Sequence, residues 1–233
     1  MKPARQIVKP TTHRSVGIVN ASWIQPEGIP HESELEAAFV RHAILCPAVV
    51  SIQAQPFRLD WFDGDGVARE YVPDYLVTLS DRHRVVVEVR PARFVDKDCL
   101  KFDAAAATLA GNGIGFVVIT DGHVPKSRQQ AGRFILRSAR GKLGGDRISR
   151  ACDLVRDAGN VGLTWEAAVA TGTPELDWHF LLGRRLLVAD TGVELARSSR
   201  LFQPLNWPGA REHEYLQFEH WFGCQAWRPD LGI

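Results

Sequence analysis

Residues 69–91 read "REYVPDYLVTLSDRHRVVVEVRP", two runs of β-forming residues joined by the turn-rich "SDRH" at 80–83. Val85, Val86, Val87 and Val89 leave little sign of a solvated face. Yet Asp74 follows Pro73 in the first run, and Glu88 and Arg90 interrupt the second. A charged side chain in a buried strand demands a partner. In a hairpin whose loop is centred on Asp81, Asp74 and Glu88 are each seven residues from the centre. They then lie opposite each other on one face. A two-residue turn would put them on opposite faces, so this reading requires an odd loop or a bulge. Glu88 and Arg90, two apart, share a face whatever the loop does.

Outward from this hairpin, the pattern predicts an α/β core. Upstream, "HESELEAAFVRHAILCP" carries apolar Leu35, Ala38, Phe39 and Ala43 on one helical face and must end near Pro47. Strands are predicted over 49–60, 70–79 and 84–90. "DKDCLKFDAAAATLAGNG" is a second helix closed by Gly111, and "IGFVVIT" is a wholly apolar strand. The order α-β-β-β-α-β fills residues 31–125. Residues 1–30, with Pro3, Pro10, Pro26 and Pro30, read as an extended arm. From Lys126 to Arg150 there are eight Lys or Arg against one acid, Asp146. "LTWEAAVATGTPELDWHFLLGRRLLVADTGVEL" then lays out two short helices, a strand, a turn and a strand. That is the plan of a winged-helix-like α+β domain over 126–203. Residues 204–233 hold Trp207, Trp221 and Trp227 and read as a tail packed by aromatic anchors.

The 233 residues are 45% hydrophobic and 24% charged, with a formal net charge of +1. No global polyelectrolyte character announces a nucleic acid, so any such partner must be argued from local charge. Cys46, Cys99, Cys152 and Cys224 are widely spaced, without a C-x-x-C pair, which fits a reducing cytoplasm better than a disulfide or zinc framework. The basic N-terminus lacks the apolar core of a signal peptide, and no run approaches the ~20 apolar residues of a membrane span. The expectation is a soluble cytoplasmic protein.

Two carboxylates a few ångströms apart raise each other's pKa unless a cation neutralises them. A divalent metal does so, and hard oxygen ligands suit Mg²⁺ or Mn²⁺. Glu36 offers a third carboxylate, but Ser33-x-x-Glu36 is also a capping box. Asp74 has a plain alternative as a turn acid after proline, and Glu88 with Arg90 as a cross-strand surface pair.

An acid-bearing helix, Pro-Asp, thirteen intervening residues, Glu-x-(basic), a helix and an apolar strand resemble the PD-(D/E)XK nuclease superfamily. More narrowly, "SELEAAF", "VVSIQAQPFRL", "REYVPDYLV", "VVVEVRP", "KFDAAA" and "GFVVITD" resemble the N-terminal domain of TnsA, the endonuclease subunit of heteromeric transposases. The resemblance covers about residues 30–125, and 126–200 resemble the winged C-terminal part more loosely. It implies a metal-dependent DNA endonuclease in which Glu36, Asp74 and Glu88 hold Mg²⁺. Arg90 departs from the pattern, which expects lysine there. Arginine keeps the positive charge but is bulkier and effectively never deprotonates. Lys101, on the following helix, is the alternative catalytic cation.

Arg133, Arg137 and Arg140 lie along one side of a helix, with Phe134, Ile135 and Leu136 interleaved. They read either as phosphate contacts to double-stranded DNA or as a solvated basic face. Glu175 and Asp177 open the helix that would read bases, and their charge argues for protein docking there instead. The resemblance points to a partner transposase and a regulatory ATPase, with no membrane association. The alternative from another class is a catalytically degenerate DNA-binding or assembly protein on the same fold, with Arg90 marking lost activity.

Overall fold

The computed structural model describes residues 15–228. A hairpin of β1 (Gly17–Ala21) and β2 (Gln25–His31) leads into helix α1 (Glu34–Leu45). Strand β3 (Val49–Ala54) is followed by a small hairpin, β4 (Leu59–Phe62) with β5 (Ala68–Tyr71), and then by β6 (Tyr75–Leu79) and β7 (Arg84–Val89). Helix α2 (Cys99–Ala110) crosses over to β8 (Ile114–Ile119). The central sheet has order β3-β6-β7-β8, with β7 and β8 parallel and the other pairs antiparallel.

The C-terminal part comprises α3 (Lys126–Ala139), α4 (Gly145–Asp157), β9 (Leu163–Thr164), α5 (Trp165–Ala170), α6 (Glu175–Gly183), β10 (Val188–Ala189), β11 (Arg200–Phe202) and α7 (Glu214–Phe222). Its three short strands pair antiparallel in the order β10-β11-β9. The protein is thus mixed α/β.

Both faces of the central sheet are covered, which is why its strands show no polar side. Val85, Val87 and Val89 face the core shared with α1, while Val86 packs with Phe102, Leu109 and Phe116 against α2. The first core runs on through α3 and α6 to Phe222 and Cys224, so no break in packing separates the sheet from the C-terminal helices. Arg185 helps to bind them: its guanidinium donates to the carbonyls of Ile44 and Val49, each at 2.6 Å, and of Ala43 at 3.3 Å. The Ala43 and Ile44 carbonyls lie in the last turn of α1, where a cation is favoured.

Two expectations need correction. The run 49–60 is not one strand. Gln55 takes a left-handed φ of 45°, Pro56 follows, and the Gln55 amide donates to the Asp74 carbonyl at 2.8 Å. The chain then leaves the sheet, and β4 pairs with β5 instead. The second concerns the arm over 1–30. Residues 1–14 lie outside the described part, and 17–31 form the β1–β2 hairpin. The Gln25 side chain covers the open edge of β3: its amide nitrogen donates to the Ile52 carbonyl and its oxygen accepts from the Ile52 amide, at 3.1 and 3.0 Å. Prolines are tolerated in such an edge element because fewer amides need partners.

The tail segment contains a helix. Tyr215 of α7 lies over Gly115 of β8, where an added Cβ would come within 2.5 Å of the tyrosine ring. The Trp221 indole donates to the His42 carbonyl at 3.0 Å, and Phe222 stacks on Phe39. Trp227 donates to Asp103 at 2.8 Å and meets Phe102 edge-on. Among the described residues no helix is long and apolar enough to cross a membrane, and the four cysteines are free thiols.

Candidate active site

The β6–β7 register pairs Tyr75 with Val87 and Thr78 with Arg84. The connection is the odd loop 80–82: the Leu79 amide donates to the His83 carbonyl at 2.8 Å, and Arg82 takes a left-handed φ of 74°. Continued one step past Tyr75, this register sets Asp74 opposite Glu88. Asp74 Oδ2 accepts from the Val89 amide at 2.8 Å, which fixes the carboxylate at the end of the strand pair. Burial, with the charges of Glu88 and Glu36, pushes its pKa well above the usual carboxylate range.

Glu88 is 5% exposed. Its Oε2 accepts from the Tyr71 hydroxyl at 2.5 Å, and its Oε1 from the Lys101 ammonium at 3.4 Å. Burial raises the Glu88 pKa, and Lys101 and the Tyr71 hydroxyl oppose that rise. The ammonium also sits over the rings of Tyr71 and Phe102, at 4.9 and 4.8 Å from their centres. Arg90 points to another acid: Nη2 lies 2.6 Å from Asp98 Oδ2 as an ion pair not aligned as a hydrogen bond, and Nε is buried without a partner. Lys101 rather than Arg90 is therefore the cation in contact with Glu88.

Glu36 reaches the same place from α1. Ser33 Oγ accepts from the Glu36 amide at 3.1 Å and donates back to Glu36 Oε1 at 2.9 Å. Oε2 accepts from the Glu32 amide at 2.7 Å, one residue earlier than in the usual capping box. The cap is real, and the carboxylate also faces the acids: Ser33, Glu34, Glu36, Asp74, Glu88 and Arg90 line one cleft of about 520 Å³. The cleft opens between the first turn of α1 and the ends of β6 and β7. Sequence reasoning missed Tyr71 and Asp98: no spacing signals either, and the strand predicted over 70–79 breaks after Tyr71, which belongs to β5, while β6 begins at Tyr75.

Arg133, Arg137 and Arg140 are exposed on and just beyond α3. Arg133 donates to Glu34 at 3.1 Å, at the cleft's rim, and Arg140 to the Asn20 carbonyl at 3.5 Å. Asp177 does not face outward as a docking charge. It is buried and takes a two-pronged ion pair from Arg147, at 2.9 and 2.6 Å, that joins α4 to α6. Trp178 and Phe180 are core, while Leu176 is exposed.

No curated protein matches the chain. A family model described as TnsA-like endonuclease N terminal matches residues 46–121. The match includes Asp74, Glu88, Arg90 and Lys101; Glu36 precedes it. The chain therefore carries, over residues 46–121, a TnsA-like endonuclease N-terminal region.

Proposed function

We propose that this protein is a Mg²⁺-dependent endonuclease that hydrolyses DNA phosphodiesters at transposon ends, in company with a partner transposase and a regulatory ATPase. The observation that carries the reading is the register-enforced pairing of Asp74 with Glu88 in the cleft that Glu36 also lines. The donor set fits a hard divalent ion: carboxylate oxygens converge, and burial together with the charges of Glu88 and Glu36 pushes the Asp74 pKa far up. Mn²⁺ suits the same oxygens. A bound ion of this kind supplies Lewis acidity toward a phosphoryl oxygen and an activated water.

The chain's own residues do the rest. Asp74, held by the Val89 amide, and Glu88, held by Tyr71, present oxygens already fixed in place, so little reorganisation is needed on binding. Glu36 completes the set from α1. Lys101 opposes the rise that burial gives the Glu88 pKa and stands ready to stabilise negative charge on the phosphoryl group. Arg133, Arg137 and Arg140 would extend the contact along double-stranded DNA.

On this reading the α1-to-β8 core is of PD-(D/E)XK type, and α5, α6 and the β10-β11-β9 sheet form a winged-helix-like domain. One observation favours a second reading, a degenerate assembly protein: Arg90 at the expected catalytic position is engaged by Asp98. Single-turnover cleavage of transposon-end DNA with the partner proteins present separates the two. Metal-dependent cleavage that Asp74→Asn abolishes, without loss of fold, is expected. A parent complex that binds DNA and never cuts it would leave the assembly role.

A further inference from the structure

The loop that sets the Asp74–Glu88 register lies at the far end of β6 and β7 from the acid cleft, beside the start of α7. There Asp81 Oδ2 lies 2.7 Å from His83 Nδ1 and 3.3 Å from His213 Nε2. The two imidazoles meet edge to face with centres 4.7 Å apart. One ligand atom from each of the three residues falls within 4.8 Å of the others.

Imidazole nitrogens combined with carboxylate oxygens form the donor set of zinc-like ions, which Mg²⁺ does not prefer. The side chains of His83 and His213 are 54% and 51% exposed, so an ion can enter from solvent. We propose that Asp81, His83 and His213 form a transition-metal site that fastens the β6–β7 loop to α7.

The site is distinct from the acid cleft in place and in chemistry. It joins residues more than a hundred positions apart in sequence, and α7 is otherwise held through Tyr215, Trp221 and Phe222. Without metal, His213 Nδ1 accepts from the Tyr215 amide at 3.3 Å, so Nε2 carries the proton that faces Asp81. An ion on Nε2 takes that nitrogen's lone pair, so the ring proton moves to Nδ1, the long cap bond is given up and the first turn of α7 re-forms.

The test uses the untagged full chain, stripped with chelator, in an Asp74→Asn, Glu88→Gln background that removes the cleft's oxygens. Co²⁺ is titrated by visible absorption and Zn²⁺ by calorimetry. One saturable equivalent at micromolar concentration is expected, with a d–d band of a four- or five-coordinate ion and a raised melting temperature. His83→Asn and His213→Asn each weaken binding at least about tenfold. Asparagine at 213 retains a capping side chain, so α7 keeps its start. Absence of saturable binding overturns the proposal, as does binding unchanged in both histidine variants. A near-ultraviolet thiolate-to-cobalt band would overturn it too, by assigning the ion to a cysteine.

Discussion

Lys101→Met keeps the length and apolar stem of the side chain and removes only the ammonium. In the folded protein that ammonium lies 3.4 Å from Glu88 and 4.0 Å from Asp98, and its side chain is 19% exposed. At 3.4 Å a pair of unit charges attracts by ~5 kcal/mol at an effective dielectric of 20. Desolvation of both ions offsets much of this, so the expected loss of stability is about 1–3 kcal/mol. The effect on chemistry should be larger. Glu88, whose pKa burial already raises, loses the positive charge nearest to it and is driven further toward its protonated form, which binds a metal ion poorly. Loss of one electrostatic stabiliser from a transition state costs on the order of 10²-fold or more in rate. Arg90→Ala should cost less, because its guanidinium serves Asp98 rather than the acids. Single-turnover cleavage of transposon-end DNA, with partner proteins and saturating Mg²⁺, measures both variants beside their thermal melts. A Lys101→Met protein that cuts at the parent rate, with Arg90→Ala crippled, would refute the assignment of the cation.

Three further outcomes are expected. Neutralising Arg133, Arg137 and Arg140 together should weaken DNA binding and flatten its dependence on salt by up to about three phosphate contacts, read from the slope of log K against log salt. Burial drops the His42 pKa to about 4 from an ordinary 6.5, so the folded state holds the ring neutral. Stability from this residue is present above pH 6.5 and lost as pH falls from there through about 4. It amounts to about 3 kcal/mol, which denaturant melts of the parent should lose across that window and a His42→Gln protein should not. Glu36→Gln keeps an N3 side chain able to cap α1 and removes the charge, so melting should change by under about 1 kcal/mol. Cleavage should nonetheless fall sharply, and equal losses in both readouts would leave Glu36 a cap only.

The hairpin at the centre of the site was legible because a strand's period of two makes register a matter of arithmetic. Asp74 and Glu88 can share a face only with an odd loop, and the chain supplies one by placing Arg82 in a left-handed conformation. The Ser33–Glu36 cap was legible for the same local reason. What escaped notice depends on contacts between distant segments. Nothing near Tyr71 shows that its hydroxyl will meet Glu88, because the β4–β5 hairpin exists only once Gln55 has turned the chain out of the sheet. Asp177 looked like a free charge at a helix start because Arg147, thirty residues earlier, gives no sign of reaching it. Prolines in 17–31 suggested an arm because an edge hairpin needs fewer of the amides that proline lacks.

The same distinction bears on Arg90. Read locally, Glu88-Val89-Arg90 makes arginine the cation of the motif, and its presence in place of lysine suggests impairment. The folded chain divides the charges differently. Glu36, Asp74, Glu88 and Asp98 gather at the ends of β6 and β7 and the starts of α1 and α2. Arg90 pairs with Asp98, and Lys101 lies against Glu88. Among the described residues no cation makes an ion pair with Asp74, and burial with the charges of Glu88 and Glu36 pushes its pKa well above the carboxylate range. A single divalent ion would supply the missing charge. On the proposed function, then, arginine at position 90 need not be a lesion. It pairs with Asp98 on the approach to α2, while Lys101, one helical turn further on and against Glu88, would take the place beside the reacting phosphate.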